Sequence, residues 1–382
     1  MEIRDLTPDD LDAVLDTRMR SFGPLPDDSV DAWRATALAT MERGRYLGVF
    51  DGSRLAGAGR LTGFTQWWYG RPQPMAGVAG VVVNPEDRGR GVGRQLMRAI
   101  LTRAADLGDA VSALYPATTP IYRSLGWEHA GAESILTLSP EALRAIRPTE
   151  PVKLRRMGPD DAAEVIAIVG RVHAANRASG PIGWDEAAWR RYLDNEADFL
   201  YLADDGFVGY SWEDGDISLD YLLAGSEATA RALWSLVGTS SSVAGKVTAV
   251  LAPDDPVLWL LRERAKEEIK QTRWMFRVVD VVAAIARRGF PSVVTADAVI
   301  TVDDPERPAN TGTWRLEISG GSGTASAAEG EGPRLSVNGL SALYAGIPTS
   351  TLRVGGMLSG SEEFDEALDA AFAGTPYMID YF

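Results

Sequence analysis

From Val81 to Leu101 the sequence reads VVVNPEDRGRGVGRQLMRAIL, an apolar run and a helical pattern joined by a loop in which Arg88, Arg90 and Arg94 are interleaved with Gly89, Gly91 and Gly93. Glycine lets backbone amides come close to a ligand, and the first turn of a helix offers N–H groups without intrahelical acceptors at the positive end of its dipole. Such a loop suits a phosphate or pyrophosphate. The alternative is a glycine turn that only joins strand to helix, against which the three close arginines speak. Two other nucleotide patterns do not fit. A P-loop ends in Lys followed by Ser or Thr, and no lysine here has that neighbour. A dinucleotide fingerprint beginning at Gly89 requires Gly or Ala where Arg94 stands. What remains is R-x-x-G-x-G, on Arg88, Gly91 and Gly93.

The elements that must position this loop are legible around it. Val78 to Val83 is a short valine-rich run, predicted as a buried strand. Val92, Leu96, Ile100 and Ala104 fall on one face of a helix, supported by Met97 and Leu101. The chain also repeats itself: IRDLTPDDL at 3–11 returns as LRRMGPDDA at 154–162, a short strand followed by a Pro-Asp-Asp helix start. RYLGVFDGSRLAGAGRL and DFLYLADDGFVGYSW each read as strand, Asp-Gly turn, strand. The second copy carries LLAGSEATARAL where the first has its loop, with one glycine and one arginine, so it predicts a scaffold without the same anion site. From about Phe290 short strands appear, AVITV and TWRLEI, and GGSGTASAAEGEGP is expected to be a mobile hairpin loop. The expected class is α+β with mixed sheets, in units at 1–145, 146–288 and 289–382.

Composition narrows the function. A chain of 382 residues is too long for one core, and 45% hydrophobic with 24% charged residues fits a globular, soluble protein. No apolar run approaches the roughly 18 residues of a membrane helix, and MEIRDLTPDD is acidic where a secretory signal is basic, so a cytoplasmic protein without a membrane span is expected. The chain has no cysteine and only two histidines, His129 and His173, which excludes disulfides and thiolate nucleophiles and leads us to expect no metal. A net charge of -15 opposes generic nucleic-acid binding and suits a cationic ligand. Most of that charge reads as solvated surface, since Pro291 to Phe382 alone holds thirteen acidic residues against four arginines.

DAVSALYPATTPIYRSLGWEHAG, Asp109 to Gly131, reads as strand, short helix and a Gly-Trp turn. Together with R-x-x-G-x-G it resembles the GNAT N-acetyltransferases over the first 135 residues or so. The order of units, a complete GNAT unit, a degenerate one and a sterol-carrier-like domain, resembles the enhanced intracellular survival (Eis) family across the whole chain. The resemblance implies acetyl-CoA as acyl donor, with the backbone of Val81, Val82 and Val83 along its pantetheine. Arg88, Gly89, Arg90, Gly91, Val92, Gly93 and Arg94 would surround the pyrophosphate, and Ala117 and Thr118 would add contacts. Two departures stand out: Gly93 replaces a residue that is often larger, and Ala117 lacks a hydroxyl. Backbone contacts survive both.

The same resemblance places a proton donor on Tyr122, although a tyrosine packed in the core is the plainer fate of that residue type. It places the base on the terminal carboxylate, here that of Phe382. The tail YMIDYF is apolar enough to dock rather than fray. An exposed α-carboxyl titrates at about 3.5, so burial or a water relay must raise its basicity; the alternative is a tail that only closes the domain. His129 is a second candidate base, though its place after the Gly-Trp turn suggests a strand residue pointing elsewhere. Phe22, Asp27, Asp28 and Trp33 fall in helices that wall the acceptor site in this family, and acid beside aromatic suits an amine; helix surface and core packing explain them nearly as well. Gln66 to Gly70, QWWYG, could line the pocket, pack between units or form a subunit contact. The expected activity is direct acetyl transfer to an amine of an aminoglycoside- or polyamine-like cation. Rival readings are a protein lysine or N-terminal acetyltransferase and a non-enzymatic acyl-CoA or lipid-binding protein. The resemblance also implies a homo-oligomer, a hexamer.

Overall fold

The structure, a computed structural model, describes residues 1–262 and 268–382; within them the side chain of Asp28 lies outside what is described. The first unit runs β1 (Glu2–Asp5), α1 (Leu11–Phe22), α2 (Val30–Glu42), β2 (Tyr46–Asp51), β3 (Arg54–Trp68), β4 (Arg71–Val83), α3 (Val92–Asp106), β5 (Val111–Leu114), α4 (Thr119–Arg123) and β6 (Glu128–Leu138). After α5 (Pro140–Arg144) the second repeats the order: β7 (Arg155–Arg156), α6 (Ala162–Ala175), β8 (Ile182–Gly183), α7 (Glu186–Leu193), β9 (Phe199–Ala203), β10 (Gly206–Glu213), β11 (Asp216–Ala224), α8 (Glu227–Gly238), β12 (Val247–Leu251), α9 (Val257–Leu260) and β13 (Glu268–Val278). The third holds α10 (Val281–Arg287), β14 (Ala296–Asp303), β15 (Gly312–Ser319), β16 (Ser322–Ala327), β17 (Arg334–Ser336), α11 (Val337–Tyr344), α12 (Thr349–Val354), β18 (Leu358–Ser359), α13 (Asp365–Phe372) and β19 (Tyr377–Met378).

The first two units share one 14-stranded sheet, in the order β1-β2-β3-β4-β5-β13-β6-β12-β11-β10-β9-β7, with β8 beside β3 and β19 beside β6. That order is the same read from either end, except that the last strand of each unit has crossed over. β13 of the second unit lies between β5 and β6, with Met275 opposite Leu114, and β6 of the first lies against β12, with Leu138 opposite Val247. The cores are therefore built jointly: Trp274, Met275 and Phe276 of β13 are fully buried among first-unit and third-unit side chains. Helix α3 buries Val92, Leu96, Met97, Ile100, Leu101 and Ala104, as its periodicity predicts. It packs so closely on β3 that a Cβ at Gly59 would stand 2.8 Å from Cδ1 of Ile100.

The third unit forms a sheet of order β16-β15-β14-β17-β18. A buried ion pair ties it down: Arg277 of β13 donates to Asp304 at 2.8 and 3.1 Å and to the Leu125 carbonyl at 2.8 Å, so one guanidinium joins all three units. The expected mobile loop at GGSGTASAAEGEGP is corrected here. Gly320 and Gly321, at φ +57° and +84°, make a tight turn, and Ser322–Ala327 pairs with β15 as a strand. Its small residues serve packing, because a Cβ at Gly323 would be 2.7 Å from the Phe290 ring. The QWWYG stretch packs between units: Trp68 is fully buried against Phe276 and Tyr344, with ring centroids 4.7 and 5.0 Å away. Among the described residues no helix is long and apolar enough to cross a membrane.

Candidate active site

β4 and β5 pair in parallel only from Met75 to Gly77, against Val111 to Ala113, while β4 runs on to Val83. Beyond Gly77 the strands part, and the β5-facing edge of β4 loses its ladder partner. A bulge opposite Gly59, with Gly80 at φ +58°, re-aims that edge. Val82 is buried under α1 and α2, whereas Val81 and Val83 are partly exposed on the α3 side. An unpaired edge of this kind offers N–H and C=O groups to an extended ligand carrying amides.

The loop that follows is braced from below. Asp87 is fully buried and accepts from Arg54 at 2.6 and 2.9 Å and from Arg90 at 2.6 Å; Arg90 also reaches Asp51 at 3.1 Å. Arg54, with Arg90 beside it, holds the Asp87 carboxyl below the usual carboxylate range. The three arginines therefore divide their work, which the sequence did not suggest. Arg90 fixes the loop, while Arg88 and Arg94 are exposed and make no ion pair among the described residues; Arg94 donates to the Ser124 hydroxyl at 2.8 Å. Gly89 and Gly91 stand at φ +75° and +80°, and no side chain caps α3 at Gly91. Together with Val92 and Gly93 they edge a cavity of about 480 Å³ that Arg88, Arg94 and Ile121 also line. A Cβ at Gly93 would sit 3.1 Å from the end of Ile121, so a larger residue there needs that side chain to give. Bare amides, a helix start with no side-chain cap, and the guanidiniums of Arg88 and Arg94, neither in an ion pair among the described residues, fit a diphosphate.

Ala117 and Thr118 are exposed between β5 and α4. Tyr122 on α4 is only 7% exposed, among Val92, Leu114 and Trp127. Burial raises its phenol pKa, so it stays protonated at neutral pH. Helix α4 is held in place by the Arg123–Glu128 ion pair at 2.7 Å and by Asn338 of the third unit, which donates to the Arg123 and Trp127 carbonyls at 3.0 and 3.1 Å.

The chain's last residues return to this spot. Tyr377 and Met378 pair with Ala132 and Glu133 of β6. They pass so close to two glycines that a Cβ at Gly131 would collide with the Pro376 carbonyl, and one at Gly180 would be 2.9 Å from the Tyr377 nitrogen. Asp380 is then buried; its Oδ1 accepts from Trp184 Nε1 at 2.6 Å and from the Tyr221 hydroxyl, and burial pushes its carboxyl up to about 6. The Tyr115 hydroxyl donates to the Asp380 carbonyl at 3.1 Å, and the Tyr115 ring lies 4.3 Å from that of Tyr381. The Phe382 ring packs between Phe64, at 4.9 Å, and Tyr115, at 5.7 Å. It lies over Gly77, where a Cβ would be 2.9 Å from its Cε2. Ala76 and Val78 share a cluster with Tyr122, so side-chain alternation puts Phe382 and Tyr122 on opposite faces of the sheet at the point where it opens.

The remaining sequence-predicted residues are placed less centrally. Phe22 is exposed at the end of α1, beside the end of β4, where Ser21 lies 3.5 Å from the Val83 carbonyl. Asp27 is exposed, and the side chain of Asp28 is outside the described ones. Trp33 packs partly buried against the core beneath α1 and α2, so its packing role is the one observed. His129 sits on β6, with β13 and β5 between it and the opening, and burial lowers its pKa. Tyr115, Trp184, Tyr221 and Asp380 were missed by sequence reasoning. Only Asp380, a lone acid in an apolar tail, carried a local signal.

Models of the acetyltransferase (GNAT) domain match residues 2–130 and 180–278, and a model of the sterol carrier protein domain matches 281–379. The crystal structure of a GCN5-related N-acetyltransferase from Kribbella flavida superposes with a TM-score of 0.97 at 45% identity, covering 100% of this chain and 98% of that one. An uncharacterized N-acetyltransferase of Streptomyces avermitilis is 28% identical over 371 residues, 90% of each chain. N-acetyltransferase Eis of Mycobacterium tuberculosis is 28% identical over 338 residues, 78% of each.

Proposed function

The chain belongs to the GCN5-related N-acetyltransferases, with the Eis arrangement of two GNAT units and a sterol-carrier-like domain, and on that premise we propose that it transfers acetyl from acetyl-CoA directly to an amine of a cationic small molecule, aminoglycoside- or polyamine-like. The observation that carries this reading is the seat of Phe382 over Gly77, because it brings the final residue to the opening of the sheet from which β4 runs on to the glycine-arginine loop.

Acetyl-CoA supplies a thioester, an acyl group activated toward attack by a neutral amine. Arg88, Arg94 and the amides from Gly89 to Gly93 hold the diphosphate, and the free edge of β4 at Val81 to Val83 holds the pantetheine amides. Amines are mostly protonated at neutral pH, so a base must first remove a proton. The Phe382 α-carboxylate does this from one face of the sheet, at the end of a tail whose last ring is seated between Phe64 and Tyr115. From the other face Tyr122 donates to the departing sulfur. Phe64, Tyr115 and Trp184, with the acids Asp380 and Glu133 behind them, suit a cation in the acceptor position. A cytoplasmic homohexamer completes the proposal.

The test is release of CoA thiol with kanamycin or spermidine as acceptor. Tyr122→Phe and a one-residue extension after Phe382 should each lower kcat by about a hundredfold or more. Full activity in both overturns the mechanism, and turnover of lysine peptides with none of the small amines overturns the acceptor class.

A further inference from the structure

The face of β3 that looks away from α3 carries a cation for which the acetyl-transfer mechanism has no use. Along β3, Gly59 and Leu61 face α3: a Cβ at Gly59 would meet the Ile100 side chain, and Leu61 belongs to the cluster that α3 covers. Side-chain alternation therefore puts Arg60 on the opposite face, the one that holds Phe64 and the Phe382 ring. Arg60 stands opposite Ala79 of β4, and its side chain leans over the bulge that follows, since a Cβ at Gly80 would be 3.9 Å from its Nε and 4.0 Å from its Cγ. It thus lies between Gly77, which the Phe382 ring covers, and Val81, on the edge assigned to the pantetheine.

Arg60 is half-buried and has no counter-ion. No carboxylate, the terminal one included, pairs with it among the described residues, and it makes no hydrogen bond there. Its Nε is buried, whereas the two terminal nitrogens, equally without partners, keep surface that a ligand can reach. Opposite Arg60 on β2, Tyr46 is 3% exposed, and its hydroxyl too has no partner among the described residues. Burial pushes that phenol up to about 12 against the pull of the Arg60 charge, so at neutral pH it remains a donor. Burial lowers the arginine from its usual value, yet a guanidinium stays cationic. A partly buried charge without a partner is costly, and the planar fork of arginine matches a carboxylate. The other end of the same face is its electrostatic opposite: Phe64, Tyr115 and Trp184 are backed by the buried acids Asp380 and Glu133. A pure polycation suits that end and is repelled by this one.

We propose that Arg60 binds a carboxylate of the acceptor, with the Tyr46 hydroxyl as a second donor, so that the cleft prefers a basic amino acid to a polyamine of the same length. This rests on the acetyl-transfer reading of the same cleft and narrows its acceptor. The molecule lies along β4 with its carboxylate over Gly80 and its amine toward the aromatic seat of Phe382.

The test is equilibrium dialysis of lysine and of cadaverine, which is lysine less its carboxylate, with no acetyl-CoA present. Lysine should bind at least about tenfold more tightly. Arg60→Met should bring the two within about twofold of each other, chiefly by weakening lysine, and Tyr46→Phe should lower the preference about threefold. Melting temperatures check that each variant is folded; if Arg60→Met does not fold, the preference of the parent and its fall in Tyr46→Phe decide. Equal affinity of the parent for the two amines overturns the proposal, as does a preference that survives in Arg60→Met. So does a kcat that Arg60→Met lowers alike for both acceptors at an unchanged ratio of KM values, a result that assigns the guanidinium to the reacting carbonyl. Dialysis needs no turnover, so a preference without thiol release is a failure of the transfer reading alone, and thiol release without a preference is a failure of this one alone.

Discussion

Phe382→Ala keeps the chain length and the terminal carboxylate and removes only the ring, so it asks whether the ring is what seats the proposed base. The ring makes two aromatic contacts, with Phe64 and Tyr115, worth about 1 kcal/mol each, and its partial burial adds about 1 kcal/mol, for a total of about 3 kcal/mol. Against this stands the cost of fixing the last residue, about 1–2 kcal/mol for its backbone with a smaller part for the side chain. Without the ring, the backbone cost stands alone and the seated conformation lies about 1.4 kcal/mol uphill, populated in about one molecule in ten. The expected result is a kcat about tenfold lower with the KM for acetyl-CoA unchanged, since the loop at Arg88 to Arg94 is untouched. Phe382→Tyr should stay within about twofold, because the aromatic contacts persist. Tyr381→Ala should lose less than Phe382→Ala: that ring is 65% exposed and leans on Tyr115 alone. The assay is thiol release at saturating amine, with urea denaturation as the control for folding. A kcat for Phe382→Ala within twofold of the parent refutes the seating argument, as does a loss that merely tracks global unfolding.

The divided roles of the loop arginines predict two different phenotypes. Arg88→Ala and Arg94→Ala should each raise the KM for acetyl-CoA about two- to fivefold, more at low salt, with the melting temperature unchanged. Arg90→Ala should lower the melting temperature by roughly 2 °C, because buried Asp87 then keeps Arg54 alone. Equal KM effects in all three would contradict the bracing role. A second prediction concerns Asp380, whose folded pKa is about 6 against an ordinary 3.8. Below pH 4 the carboxyl is protonated in both states and costs nothing. As pH rises from about 4 to 6 the unfolded chain releases its proton first, so stability falls by about 3 kcal/mol and then stays level. Asp380→Asn should remove that slope, read as the difference in urea midpoints between variant and parent from pH 4 to 7; Asp220 and Asp255, also raised to about 6, contribute to both and cancel. Parallel pH profiles would show that Asp380 does not carry a buried charge.

What was legible in the chain was local. The apolar face of α3 and the strand before it follow from spacing over fifteen residues, and the tandem units follow from a repeated Pro-Asp-Asp start. The exchange of β6 and β13 left no trace, because a strand such as ESILTL or RWMFRV carries its apolar pattern but not the identity of its neighbour. Composition misled at GGSGTASAAEGEGP, where the deciding fact is a phenylalanine thirty residues earlier that needs small partners. The loop arginines looked equivalent because what divides them, the reach of Arg90 to Asp51 and Asp87, is set by the fold rather than by residue type. The surround of Phe382 was out of reach for the same reason: Phe64, Tyr115, Trp184 and Tyr221 are separated by up to 157 positions and meet only through the shared sheet.

The shared sheet also gives the second unit, which lacks the glycine-arginine loop of the first, a part in placing the tail. The tail reaches the opening by hydrogen bonds and close approaches that come largely from the second unit: the Ser179 carbonyl accepting from the Tyr377 amide at 3.0 Å, the bare backbone of Gly180, and Trp184 and Tyr221 on Asp380. The seat itself, Phe64, Gly77 and Tyr115, belongs to the first. A terminal residue free to move would spend most of its time away from the opening, and no single contact here is strong enough to prevent that. The interlocked strands solve the problem by making the position of the clamps relative to the seat a property of one continuous hydrogen-bonded sheet. On this argument the second unit acts as the rigid arm that delivers the last residue of the third to the cleft of the first.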